Sequence, residues 1–112
     1  MNANDELKDF TGTGNYYRHV SGGCYTDGVQ ALCERFECYW FLDVVFSYQY
    51  RLKAERFQTW TLNKNQNDSA TVICTDGNHN ELQRQEIKWT DFERSQATIW
   101  VVDSIALLPS EY

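Results

Sequence analysis

The sequence predicts an α+β fold, with N-terminal helices packed on one face of a four- to five-stranded antiparallel sheet. Three observations predict it. Between Thr26 and Arg51, apolar residues recur at helical spacing. From Phe57 to Leu108 the period falls to two, as in strands with one face on a core. Asp76-Gly77 then sits between two strand-like runs, and Asp-Gly tolerates the positive φ that a hairpin turn demands.

The elements follow in order. Asp5–Phe10 makes a short helix that docks Leu7 and Phe10. Two glycines in Thr11–Asn15 break regular structure. Tyr16–Val20 alternates and is aromatic, which suits a strand, and Ser21-Gly22-Gly23 turns the chain again. Thr26 or Asp27 can cap a helix by accepting from its first free N–H groups. Val29, Leu32, Cys33 and Phe36 then form one helical stripe. Tyr39–Arg51 is apolar in nearly every direction, so it reads as the buried central helix, with Trp40, Phe41, Val44 and Val45 deepest. A strand competes there, because valines and aromatics favour sheets.

In the second half, Phe57–Asn63 alternates Gln58, Trp60 and Leu62 against Phe57, Thr59 and Thr61. Ala70–Thr75 is β-branched and short. Leu82–Thr90 puts Gln83, Gln85, Ile87 and Trp89 on one face. Ala97–Val102 is a fourth strand. Ile105–Leu108 is a fifth, after a tight turn at Asp103-Ser104, and Pro109 ends it.

The 112 residues suffice for a single domain spanning 1–112. Sixteen acids against ten bases leave a net charge of −6, which argues against direct nucleic-acid binding. It is also too mild for a mimic of DNA. The longest apolar stretch, Tyr39–Phe46, is broken by Asp43 and is far below the roughly 20 residues of a membrane span. The polar, acidic start lacks the pattern of a secretory signal, so a cytoplasmic protein with reduced thiols is expected. Cys24, Cys33, Cys38 and Cys74 contain no CxxC pair, so neither a metal site nor a cofactor is expected.

No constellation names a reaction, and no catalytic residue is assigned. A Cys24–His19 pair would need a third, orienting group. Asp43, in the most apolar helix, predicts either a partner in Ser47 or Arg18 or a polar group in a pocket. Arg51, Lys53 and Arg56 with Phe57 and Trp60 make a small basic-aromatic run, interrupted by Glu55. Gly12-Thr13-Gly14 lacks the third glycine of a dinucleotide loop.

The order of motifs is more specific than any one of them. Phe10-Thr11-Gly12-Thr13, Tyr16-Tyr17-Arg18-His19, Tyr25-Thr26-Asp27-Gly28-Val29 and Tyr39-Trp40-x-Leu42-Asp43 come first. Phe57-Gln58-x-Trp60, Cys74-x-Asp76-Gly77-Asn78, Thr90-Asp91-Phe92 and Leu108-Pro109-Ser110-Glu111-Tyr112 follow. This order resembles a family of short uncharacterised bacterial proteins, a domain of unknown function found on plasmids and phages. Glu93 stands where the family pattern has proline. The resemblance implies a small acidic protein of mobile elements, whose genes often counter host defences of the CRISPR or restriction type.

The expected function is therefore stoichiometric protein binding without turnover, directed at a protein partner such as a nucleic-acid-binding host defence complex. Four Trp, seven Tyr and six Phe exceed the needs of one small core, and such residues dominate interface hot spots. The expected binding residues are Tyr16, Tyr17, Arg18, His19, Tyr25 and Asp27. No membrane partner is expected; a homodimer is compatible with the composition. The competing readings are a small enzyme acting on a nucleotide or signalling molecule, and a structural subunit of a homo-oligomer.

Overall fold

The computed structural model describes residues 2–12 and 14–112. Among them are seven strands in one mixed sheet, not four or five antiparallel ones. They are β1 (Tyr16–Arg18), β2 (Cys24–Thr26), β3 (Phe57–Lys64), β4 (Ala70–Thr75), β5 (Glu81–Ile87), β6 (Gln96–Val102) and β7 (Ile105–Leu107). Their order across the sheet is β1-β2-β7-β6-β3-β4-β5. The β1–β2 hairpin joins the edge of β7 through a parallel pair, Cys24 with Ile105 and Tyr25 with Ala106. Every other pairing between these seven strands is antiparallel, and a lone parallel bridge joins Asn2 to Gln96. The physical reason for the miss is length: three-residue strands show no period, and a long-range parallel pairing leaves no local trace.

Alternation decides which face of the sheet is wet. Gln58, Trp60 and Leu62 of β3, Ala70, Val72 and Cys74 of β4, and Ala97, Ile99 and Val101 of β6 are all buried. They join one core with Val29, Leu32 and Cys33 of helix α1 (Asp27–Arg35) and Phe41, Leu42, Val45 and Phe46 of helix α2 (Tyr39–Ser47). Burying each large apolar side chain of this kind stabilises by roughly 1.5–3 kcal/mol. Trp40 and Val44, expected among the deepest residues, are only partly buried. A helix apolar in all directions can be rotated either way, and the sheet selects the stripe through Phe41, Leu42 and Val45. The helix also ends at Ser47 rather than Arg51, giving way to a 3₁₀ turn at Gln49–Arg51.

Polar groups close the gaps in this frame. Thr26 caps α1 by accepting from the Val29 N–H at 3.3 Å. Its hydroxyl donates to Glu111 Oε1 at 2.6 Å, and Glu111 also accepts from the Gly28 and Leu108 N–H groups at 3.1 and 2.9 Å. A carboxylate thus sits at the positive end of α1. Gly28 allows it, because a Cβ there would lie inside 3.0 Å of the Glu111 carboxylate. Beyond the short β7, the edge of β6 is covered by the N-terminal segment. Asn4 accepts from the Thr98 N–H at 2.6 Å and donates to the Thr98 carbonyl at 2.9 Å, so its amide stands in for a strand residue. The segment itself, Ala3–Leu7, is a 3₁₀ turn, earlier in the chain than the expected Asp5–Phe10 helix.

Two turns differ from their expectation in an instructive way. Asp76 anchors its loop by accepting from the Asn78 and Asn80 N–H groups at 2.7 and 3.0 Å. The positive φ falls on His79, at 66°, and not on Gly77. Asp103 and Ser104 both adopt positive φ, 50° and 71°, which makes the tight β6–β7 hairpin. Strand β5 stops at Ile87, so Trp89 leaves the expected face and is 67% exposed.

Candidate functional site

Strand β1 is an edge strand, so its two faces lead to different surroundings. Tyr17 pairs with Tyr25 across the hairpin, and their rings stack with centroids 5.6 Å apart. Both lie on the side of the sheet that carries the helices, since Tyr25 pairs in turn with the buried Ala106. The Tyr17 hydroxyl donates to Asp27 Oδ1 at 2.9 Å. Asp27 Oδ2 accepts from the Gly14 and Asn15 N–H groups at 3.1 and 2.9 Å. Asp27 thereby ties the turn before β1 to the start of α1. The Tyr17 hydrogen bond, with those two N–H groups, holds its carboxyl below the usual aspartate value.

Tyr16 and Arg18 alternate to the opposite side of β1, where both are exposed. The six expected binding residues therefore do not share one rim. Tyr17, Tyr25 and Asp27 converge; Tyr16 and Arg18 face away; His19 engages a different partner.

That partner is Asp43. His19 Nε2 lies 2.7 Å from Asp43 Oδ1, and Nδ1 lies 2.8 Å from the Ser21 hydroxyl. The His19 ring stacks on Phe46, centroid to centroid at 4.6 Å. Asp43 is thus at the surface, with 66% of its side chain exposed, and not buried beside Ser47 or Arg18. Ser47 donates instead to the Val44 carbonyl. Cys24 is not among the hydrogen-bond partners of His19. All four cysteines are free thiols. The His19-x-Ser21 spacing was the only sequence sign of the Ser21 contact, and nothing in the sequence linked either residue to Asp43.

Next to Tyr17 and Tyr25, the outer surface of the helices adds Tyr39, Glu34, Glu37 and Trp40. Cys33, Glu34, Glu37, Tyr39 and Trp40 line a shallow depression of about 430 Å³. Burial pushes the Tyr39 hydroxyl up to about 12, with the Glu34 charge and the Tyr25 and Tyr17 hydroxyls acting in the same direction. The Tyr17 hydroxyl is raised first by its bond to Asp27, then by burial and the charges of Asp27 and Glu34. Burial leads for Tyr25, followed by Cys33, Glu34 and Asp43. The Glu34 carboxylate thus acts on all three tyrosine hydroxyls. Among the described residues, Glu34 and Glu37 have no ion-pair partner, whereas Glu6 is held by both Arg35 and Arg94.

The basic-aromatic run does not form a surface. Trp60 is fully buried on the core side, Phe57 lies on the other face against Trp100, and Arg56 pairs with Asp103 at 2.8 Å.

Fold and site define a small α+β protein that presents an acid-tyrosine face beside its helices. The chain belongs to a family of unknown function, DUF6876, whose model matches residues 1–112. No curated protein and no solved structure matches it.

Proposed function

We propose that this protein binds the basic surface of another protein, one to one and without turnover, through the face formed by Tyr17, Tyr25, Glu34, Glu37 and Tyr39. The observation that carries this reading is geometric: the stacked Tyr17–Tyr25 pair lies beside a depression lined by Glu34, Glu37 and Tyr39, and neither carboxylate has a cationic partner among the described residues. Exposed tyrosine supplies contact area at little entropy cost, and unpaired acids steer a cationic partner. The kind of surface that fits is a nucleic-acid-binding cleft, rich in Lys and Arg. A host defence complex of the CRISPR or restriction type has such a cleft. A gene carried by plasmids or phages, for a protein acting in the cytoplasm, is the setting in which blocking it is useful.

The test is inhibition of DNA cleavage by a purified CRISPR effector or restriction enzyme from a host of the gene. Tyr39→Ala should weaken inhibition about 30-fold, the size of a hot-spot loss of roughly 2 kcal/mol. Glu34→Lys with Glu37→Lys should weaken it further, while Arg18→Ala, on the other face of β1, should leave it unchanged. Equal potency of all these variants, at unchanged melting temperature, contradicts the assignment of the face.

A further inference from the structure

We propose that Ser21 is an activated nucleophile, with His19 as its general base and Asp43 as a positioning residue, for acyl transfer from small esters that carry an anionic group. The hydrogen bonds themselves fix the protons. The Ser21 backbone N–H points at His19 Nδ1, 3.1 Å away, and an N–H can only donate. Nδ1 is therefore the unprotonated nitrogen of a neutral ring. The ring proton is on Nε2 and is donated to Asp43 Oδ1 at 2.7 Å. The Ser21 hydroxyl, 2.8 Å from Nδ1, is then the donor of that pair. Nucleophile, base and orienting carboxylate follow in the order that activates a serine. The His19 side chain is 12% exposed and is held flat on Phe46, so its orientation is set by packing as well as by Asp43.

Ser21 opens onto a cleft of about 620 Å³ that Phe46, Ser47, Tyr50 and Lys53 also line. Phe46 and Tyr50 supply apolar wall for an acyl chain. The exposed Lys53 ammonium, without an ion-pair partner among the described residues, supplies the cation for an anionic substituent. In the reaction, Ser21 Oγ attacks the ester carbonyl carbon and its proton passes to Nδ1. The tetrahedral adduct then expels the alcohol oxygen, which leaves with that proton. Water attacks the acyl-serine, giving one proton to Nδ1 as the acid departs, and Nδ1 returns it to Ser21 Oγ. The transient imidazolium faces the Asp43 carboxylate. General-base assistance of this kind contributes about 10²–10⁴-fold.

The experiment treats the full chain with a fluorophosphonate probe and maps the adduct. It also follows hydrolysis of p-nitrophenyl acetate and of the mono-p-nitrophenyl ester of succinic acid. The expected result is one adduct, on Ser21, absent from Ser21→Ala and His19→Gln. Asp43→Asn should lower kcat at unchanged KM, and Lys53→Ala should raise KM for the succinate ester only. Asp68→Asn, in the exposed loop between β3 and β4, should label like the unaltered chain. No adduct on Ser21, an adduct elsewhere, or Ser21→Ala hydrolysing both esters as fast as the unaltered chain would overturn the proposal. The mapped adduct on the unaltered chain decides the matter even where His19→Gln fails to fold.

Discussion

Single side chains in this protein act chiefly by joining segments far apart in sequence. Glu111 is the clearest case, since one carboxylate accepts from Thr26, Gly28 and Leu108. Removing it strands the N–H groups at the start of α1. Glu111→Ala should cost about 1.5–3 kcal/mol, the usual range for charged hydrogen bonds, and thermal unfolding would measure it. Glu111→Gln keeps acceptor capacity at one oxygen and should lose less. Thiol chemistry gives a second residue-level expectation. Cys33, Cys38 and Cys74 are buried and Cys24 is half-buried. Burial pushes the Cys74 thiol up to about 12, and the Cys38 contact together with burial raises Cys33 as well. Alkylation of the native protein should therefore give one fast adduct, on Cys24, with the other three reacting only in denaturant. Cys33 or Cys38 reacting as fast as Cys24 would contradict the packing of α1 against α2.

At the level of elements, the core face of β3 contains a polar residue that holds the α2 end in place. Gln58 is 1% exposed. It exchanges hydrogen bonds with Gln49 at 2.9 and 3.0 Å, accepts from Trp60 Nε1 and donates to the Glu55 carbonyl. Gln58→Leu fills the space but takes away the partners of Gln49 Oε1 and the Trp60 N–H, so it should destabilise by about 1–3 kcal/mol in denaturant unfolding. Phe41→Ala should cost more, about 3–5 kcal/mol, and Trp40→Ala clearly less, because only Phe41 is fully buried. Equal losses for the two would mean that α2 is rotated from the position described. The same elements show what the sequence could and could not reveal. Thr26-Asp27 marked the start of α1, and two-residue alternation marked β3, β4 and β6, because cap and period are local signals. The rotation of α2 was hidden, since its apolar residues surround the axis and only the sheet breaks the tie. The β1–β2 hairpin, and with it the split of Tyr17 from Tyr16 and Arg18, depended on a parallel pairing to β7 across more than 80 residues of sequence, Cys24 with Ile105. Of the site, Tyr17, Tyr25 and Asp27 were legible as a cluster beside glycine turns. Glu34, Glu37 and Tyr39 were not, because their nearness to Tyr17 comes only with that hairpin.

Over the whole molecule, charge sets the pH limits of stability. Glu6 and Glu81 lie below the ordinary value of 4.5 because of Arg94 and Arg84 respectively. Asp27, Asp76 and Asp103 lie below 3.8, held by Tyr17, Asn80 and Arg56. Groups lowered on folding bind fewer protons than the unfolded chain does in acid. Their contribution is fully present above the ordinary values and is lost as pH falls through the folded ones. The raised hydroxyls of Tyr17, Tyr25 and Tyr39 act at the other end. Their contribution is intact below the ordinary 10.0 and is lost as pH rises toward the Tyr39 value of about 12. The melting temperature should therefore form a plateau that falls on both sides, and an ultraviolet titration should show three tyrosines ionising late. The net charge of −6 that shapes these limits also bears on the proposed activity. The most direct measurement of that activity is the cleavage rate of a purified, basic-clefted defence nuclease against added protein, at two salt concentrations. Binding through the acid-tyrosine face predicts a linear fall to zero with a break at one molecule per complex, and weaker inhibition at the higher salt. Complete loss of cleavage at a small fraction of that ratio would mean turnover, and the binding reading would be wrong.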